Sequence, residues 1–179
     1  MWIWCWIILG YCKNKMVKKN LILFFGSSGG IAEEIEKLLK KKYKIIYFYN
    51  KKKILKKNNT ISKKINFLQD KDINKITKII NLNKYKVVIL NFASIKIDKL
   101  SFYIKETDYK KTMEINVNAF LKIINKVLPF MMKNNWGRII NVSSTGGILG
   151  DKGAILYSMS KNATLSMMKV CQKNMENLI

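Results

Sequence analysis

The sequence predicts an α/β protein: a doubly wound parallel sheet in three layers, with helices on both faces. Three observations carry this. Leu21–Phe25 and Val87–Leu90 are short continuous apolar runs, as expected of strands covered on both sides. Stretches with apolar residues at helical spacing alternate with such runs. A glycine turn, Gly26-Ser27-Ser28-Gly29-Gly30, joins the first run to the first helical stretch. Strands alternating with helices imply right-handed crossovers and a parallel sheet.

The elements follow in order. After the strand Leu21–Phe25, Gly26 permits a tight turn, and Ile31 to Lys42 reads as a helix with Ile31, Ile35, Leu38 and Leu39 on one stripe. Lys44 to Tyr49 is a second strand. Lys51 to Asn59 is polar and lysine-rich, a loop or a short exposed helix. Ile65 to Leu68 is the expected third strand, and Ile73, Ile76, Ile79 and Ile80 mark an amphipathic helix. Val87 to Leu90 is the fourth strand, ending at Asn91. Thr107 to about Lys133 is a long helix, with Pro129 as a kink or late turn near its end. Arg138 to Val142 is the fifth strand, and a glycine-rich loop leads from it to the helix holding Tyr157. These elements belong to one domain, residues 16–179. Residues 1–15 are expected to lie outside the fold as an upstream extension, with a membrane-surface anchor as the alternative. Their apolar run falls well short of the roughly 20 residues that span a bilayer.

Composition excludes several function classes. The chain carries 34 Lys and Arg against 11 Asp and Glu, a net charge of +23. Only Arg138 is arginine, whereas a reader of phosphate by paired hydrogen bonds favours arginine. The charge therefore reads as a solvated surface, not a nucleic-acid partner, and stays compatible with an acidic protein partner. There is no histidine, which removes His-based triads, His metal ligands and imidazole proton shuttles. Cys5, Cys12 and Cys171 form no CxxC spacing, so no metal and no disulfide framework is expected. They fit a reducing, cytoplasmic compartment, and no membrane partner is expected.

Chemistry concentrates in two places. Tyr157 and Lys161 stand at i and i+4, on one face of a helix, where a phenol and an ammonium can form a proton-transfer pair. Ser143-Ser144 ends the fifth strand; the interval to Tyr157 favours Ser144 over Ser143 as a third hydroxyl. The glycine turn suits a phosphate at a helix N-terminus, where amides and the helix dipole favour anions. Gly26, Ser28, Gly30 and Ile31 are its candidate cofactor residues, and Ala32 is the small residue where helix and strand pack. An acidic residue after the second strand would favour NAD; the stretch Tyr47-Phe48-Tyr49-Asn50-Lys51-Lys52 has none. Asn50 and Lys51 are therefore assigned to the cofactor, and Lys51 to a 2′-phosphate, so NADPH is expected before NADH. Each feature has a plainer explanation in a lysine-rich chain: a surface Tyr–Lys pair, a loop hydroxyl, an ordinary βα turn.

Taken together, Gly26-x3-Gly30-x-Ala32, Asn91-Phe92-Ala93-Ser94, Asn116-Val117, Gly137–Ser144 and Tyr157-x3-Lys161 resemble the short-chain dehydrogenase/reductase family over residues 18 to 177. Ala32, Phe92 and Ser94 depart from its usual residues. The resemblance implies that Tyr157 is the general acid, that Lys161 favours its phenolate and holds the nicotinamide ribose, and that Ser144 binds the substrate oxygen. It implies a water-mediated proton relay for Asn116, and places Asn91 and Ala93 along the cofactor near its ribose. Within the family, Ala93–Leu100, Tyr109 and Met131-Met132-Lys133 resemble the 3-oxoacyl-[acyl-carrier-protein] reductases. That implies hydride transfer from NADPH to the keto carbon of a 3-oxoacyl thioester, acyl carrier protein as partner, and a homo-oligomer. The alternatives are another ketone or alcohol substrate, or a noncatalytic dinucleotide-binding protein. Relative to the family, the last strands and the substrate-covering loop are expected to be missing, leaving the fifth strand at an open edge.

Overall fold

A computed structural model describes residues 5–7, 19–39, 43–50, 61–79 and 81–176. The strands are β1 (Cys5–Ile7), β2 (Asn20–Phe25), β3 (Lys44–Tyr49), β4 (Ile61–Lys64), β5 (Lys86–Asn91) and β6 (Gly137–Val142). The helices are α1 (Gly30–Leu39), α2 (Asp70–Asn74), α3 (Glu106–Met113), α4 (Ala119–Lys133), α5 (Gly146–Leu149) and α6 (Ile155–Glu176). The sheet runs β1-β6-β5-β2-β3-β4. Five strands are parallel, and β1 pairs antiparallel with β6. From β2 the chain winds outward through β3 and β4, then crosses to β5 and β6 on the other side. The winding reverses between β2 and β5, and a crevice opens beyond the carboxyl ends of strands at such a point. Phe25, the last residue of β2, is level with Phe48 on one side and Asn91 on the other.

Alternate residues of β2 enter two separate cores. Leu21, Leu23 and Phe25 join Ile46, Phe48 and Ile89 on one face, covered by Ile73, Ile123 and Met168 from the helices. Phe25 and Phe48 stack with ring centroids 4.5 Å apart. Burying each such ring is worth about 1.5–3 kcal/mol. Ile22 and Phe24 join Ile45, Tyr47 and Leu90 on the other face, beneath α1. Both sides of the central strand are covered, as its unbroken apolar run requires.

Four sequence expectations change. The third strand is β4, not Ile65–Leu68. An edge strand needs one partner and tolerates charge, so Lys63 and Lys64 are exposed while Ile61 pairs with Ile46. Ile65 and Phe67, which made the later run look like a strand, are buried in the first core. The face α1 presents to the sheet is Ala32, Ile35, Glu36 and Leu39, not the expected stripe: Leu38 is 76% exposed and Ile31 42%. The helix around Ile73 is one short turn, α2, followed by a 3-10 turn at Ile76–Lys78; Ile80 lies outside the described residues. Finally, Cys5–Ile7, expected outside the fold, pair with Val142–Ile140. They satisfy the outer edge of β6, whose unpaired backbone groups attract an extended segment.

The long helix is present as α3 and α4 joined by a π segment, Glu114–Asn118, and α4 runs through Pro129 to Lys133. The lysine-rich stretch 51–59 lies outside the described residues.

Candidate active site

The crevice at the winding reversal is a cleft that gathers residues distant in sequence. The glycine turn contributes Gly26, Gly29, Gly30, Ile31 and Ala32. The ends of β5 and β6 contribute Phe92, Ser94, Val142, Ser143 and Ser144, and α6 contributes Tyr157 and Lys161.

The turn is shaped by backbone constraints. Gly26 has φ 71°, the left-handed region that favours glycine, and a Cβ there would run into the Phe92–Ala93 backbone. Close passage of these two segments brings the turn onto the end of β5. At Gly30 a Cβ would meet no protein atom within 4 Å. That opening lies over the first amides of α1, where an anion is favoured. The buried Ser27 hydroxyl donates to the Phe48 carbonyl at 3.4 Å and ties the turn to β3. These features fit a phosphate-bearing dinucleotide.

Lys161 is buried, and its Nζ donates to the Val142 carbonyl at 2.9 Å. Burial pushes its pKa down to about 8, because the ammonium loses solvation. Its Nζ stands 5.5 Å from the centre of the Tyr157 ring, and the Lys96 Nζ stands 5.9 Å from that centre. The Ser144 Oγ accepts the Gly146 N–H at 3.2 Å. With a lone pair so occupied, its own proton is free to point at a ligand oxygen. A phenol, a serine hydroxyl and a buried lysine thus line the same cleft as the glycine turn. That arrangement can donate a proton to a carbonyl oxygen and stabilise charge on it.

The remaining candidate residues take other places. Asn116 lies in the π segment and is buried. Its Oδ1 accepts the Ile95 N–H at 2.8 Å, and its Nδ2 donates to the Ile95 carbonyl and the Ser160 Oγ, both at 2.9 Å. The side chain is therefore committed to holding the loop after β5, and a proton relay would have to use the main chain. Asn91 does not face the cleft: Nδ2 donates to Asn141 Oδ1 at 2.8 Å and Oδ1 accepts the Ala93 N–H at 3.2 Å. It ties β5 to β6. Ala93 meets the glycine turn through its backbone, while its neighbours Phe92 and Ser94 line the cleft. Ser28 is exposed on the turn, Asn50 is exposed after β3, and Lys51 lies outside the described residues. The α1 carboxylate Glu36 is buried and accepts from the Tyr47 hydroxyl at 3.2 Å. Burial pushes the Tyr47 phenol up to about 12.

Sequence reasoning did not assign Phe92, Ser94, Val142 or Ser143 to the site. The available signal was position: each lies at or just after the carboxyl end of a strand flanking the reversal. Among the described residues, no group of His, Cys, Asp and Glu could hold a metal ion, and no helix is long and apolar enough to cross a membrane.

Comparison with known proteins agrees with this geometry. The family described as short chain dehydrogenase matches residues 20–178, and the chain belongs to that family. The 3-oxoacyl-[acyl-carrier-protein] reductase FabG of Aquifex aeolicus is 30% identical over 113 residues, covering 63% of this chain and 46% of that one. The FabG of Thermotoga maritima is 34% identical over 88 residues, 49% of this chain and 36% of that one. The chain thus spans less than half the length of these relatives. Among solved structures, serine dehydrogenase from Escherichia coli superposes with a TM-score of 0.74 at 17% identity, over 86% of this chain and 76% of that one. ElxO with NADP bound gives 0.74 at 23% identity, over 90% and 70%. These two likenesses establish the fold.

Proposed function

We propose that the protein is an NADPH-dependent reductase of 3-oxoacyl thioesters. The observation that carries the reading is the meeting of Ser144, Tyr157 and Lys161 with the Gly26–Ala32 turn in one cleft. The FabG relatives named above supply the substrate class. NADPH is favoured over NADH because residues 47–50 offer no carboxylate to a ribose hydroxyl; Lys51 is the proposed partner of a 2′-phosphate.

Gly26, Gly30 and Ile31 would hold the dinucleotide phosphates, with Lys161 on its ribose. A bound nicotinamide would supply the hydride. Ser144 donates a hydrogen bond to the substrate oxygen and so polarises the keto group. Tyr157 gives its proton to that oxygen, yielding the 3-hydroxyacyl product. The phenolate left behind is stabilised by the Lys161 ammonium, which eases departure of the proton. Acyl carrier protein is the proposed donor of the substrate, since an acidic partner complements a net charge of +23. A homo-oligomer and a cytoplasmic site of action belong to the same reading.

The test is loss of nicotinamide absorbance with an acetoacetyl thioester. Tyr157→Phe is expected to lower kcat about 100- to 10,000-fold with NADPH binding retained. Unchanged turnover in that variant overturns the assignment. Binding of NADPH by the wild type without any turnover favours the noncatalytic alternative.

A further inference from the structure

The mechanism above leaves one charged group beside the reacting phenol without a task. Lys96 lies in the loop after β5, two residues beyond Ser94, which lines the cleft. Its Nζ stands 5.9 Å from the centre of the Tyr157 ring. The loop is anchored on both sides of it. Asn116 holds the Ile95 N–H at 2.8 Å and the Ile95 carbonyl at 2.9 Å, and the Lys99 N–H donates to the Gly153 carbonyl at 2.7 Å. The backbone thus delivers the ammonium to the tyrosine, while the side chain stays 47% exposed and open to a ligand. Asp98 pairs with it at 3.2 Å. An ammonium has three N–H donors, so one such contact leaves others, and an exposed ion pair is weak enough to share its cation with a second anion. A 3-oxoacyl thioester is uncharged around its keto group and offers this cation no partner of opposite charge.

We propose that Lys96 is a specificity-determining residue that binds a carboxylate two bonds from the keto carbon, so that the site also reduces free 3-oxo acids. The keto carbon takes the hydride of NADPH and its oxygen takes the Tyr157 proton, giving a 3-hydroxy acid and NADP+; the carboxylate is unchanged. A carboxylate so near repels the negative charge that develops on the keto oxygen, and an ammonium paired with it offsets that repulsion. The net charge of +23 draws small anions toward the cleft as well. This assignment rests on the reductase reading of Ser144, Tyr157 and Lys161, and adds a second substrate class to it.

The experiment measures initial rates with NADPH on acetoacetate, its uncharged methyl ester and an acetoacetyl thioester, for wild type, Lys96→Met and Lys96→Arg. Wild type is expected to reduce acetoacetate with a higher kcat/KM than the methyl ester, and added salt should narrow that ratio. In Lys96→Met the ratio of acid to ester should fall about tenfold to a hundredfold, the worth of a hydrogen bond to a charged group. Lys96→Arg, which keeps the charge, should retain most of it. A ratio that stays the same in Lys96→Met overturns the proposal. So does a wild type that reduces the thioester but not the free acid, and either result leaves the reductase reading standing. Wild type that turns over none of the three overturns the reductase reading itself, and this inference with it.

Discussion

Burial gives Lys161 a proton affinity unlike that of a surface lysine, with a pKa of about 8 in place of 10.5. Two pH dependences follow, of opposite sense. Below about pH 8 the side chain is an ammonium, and above it the charge that the proposed mechanism uses is lost. Reduction is therefore expected to slow as pH rises through about 8. Stability moves the other way. Between the folded and unfolded pKa values the unfolded chain binds more protons, so stability increases with pH across that window. Below it, the full cost of burying the ammonium is present. Lys161→Met should flatten the rise in urea midpoint between about pH 8 and pH 10.5, and should lower kcat at least about 100-fold. Initial rates and urea melts across pH test both; a midpoint rise that persists in the variant assigns it to another group. Ser144 shows how little of this is written in residue type: it and Ser143 are chemically alike, yet Ser144 accepts the Gly146 N–H while the Ser143 hydroxyl is buried without a partner.

Asn116 links elements rather than reagents. Its amide spans 21 positions to Ile95 and 44 to Ser160, and the Ser160 hydroxyl in turn donates to the Tyr157 carbonyl at 2.8 Å. The loop after β5, the π segment and the first turns of α6 are thereby fastened together, and π segments recur at functional sites. Asn116→Ala leaves the Ile95 backbone groups unpaired, at an expected cost of about 1–3 kcal/mol. Hydrogen exchange at the Ile95 amide should quicken; exchange that stays slow would show the loop is held by something else. Such bonds cannot be read from sequence, because they join positions with no local pattern between them. The central strands could be read, since Leu21–Phe25 and Val87–Leu90 are apolar on both faces and have no other use. The glycine turn was equally legible from its place between strand and helix. β4 was not, because an edge strand carries no burial pattern, and the apolar Ile65 and Phe67 drew the assignment onto themselves. The rotation of α1 was ambiguous for a related reason: Ile31 and Leu38 are as apolar as Ile35 and Leu39, and tertiary packing alone chose between them. At the cleft, Tyr157, Lys161 and Ser144 were marked by spacing, whereas Phe92 and Ser143 depend on how the backbone turns after each strand.

At the scale of the whole molecule, the sheet's last parallel strand is completed by Cys5–Ile7. Deleting residues 1–15 should bare the β6 edge and raise concentration-dependent light scattering, while nucleotide affinity changes little, since no cleft residue is removed. A truncated protein that stays monodisperse would show that β6 needs no cover. On the other side of the cleft, the Lys99 N–H donates to the Gly153 carbonyl at 2.7 Å, and the Lys99 ammonium pairs with Asp108 at 2.6 Å. That bridge joins the segment following β5 to the segment following β6. Widening the cleft at this point therefore requires breaking the Lys99–Gly153 bond. A ligand held there meets a rim whose spacing is fixed by main chain, and any local adjustment falls to side chains.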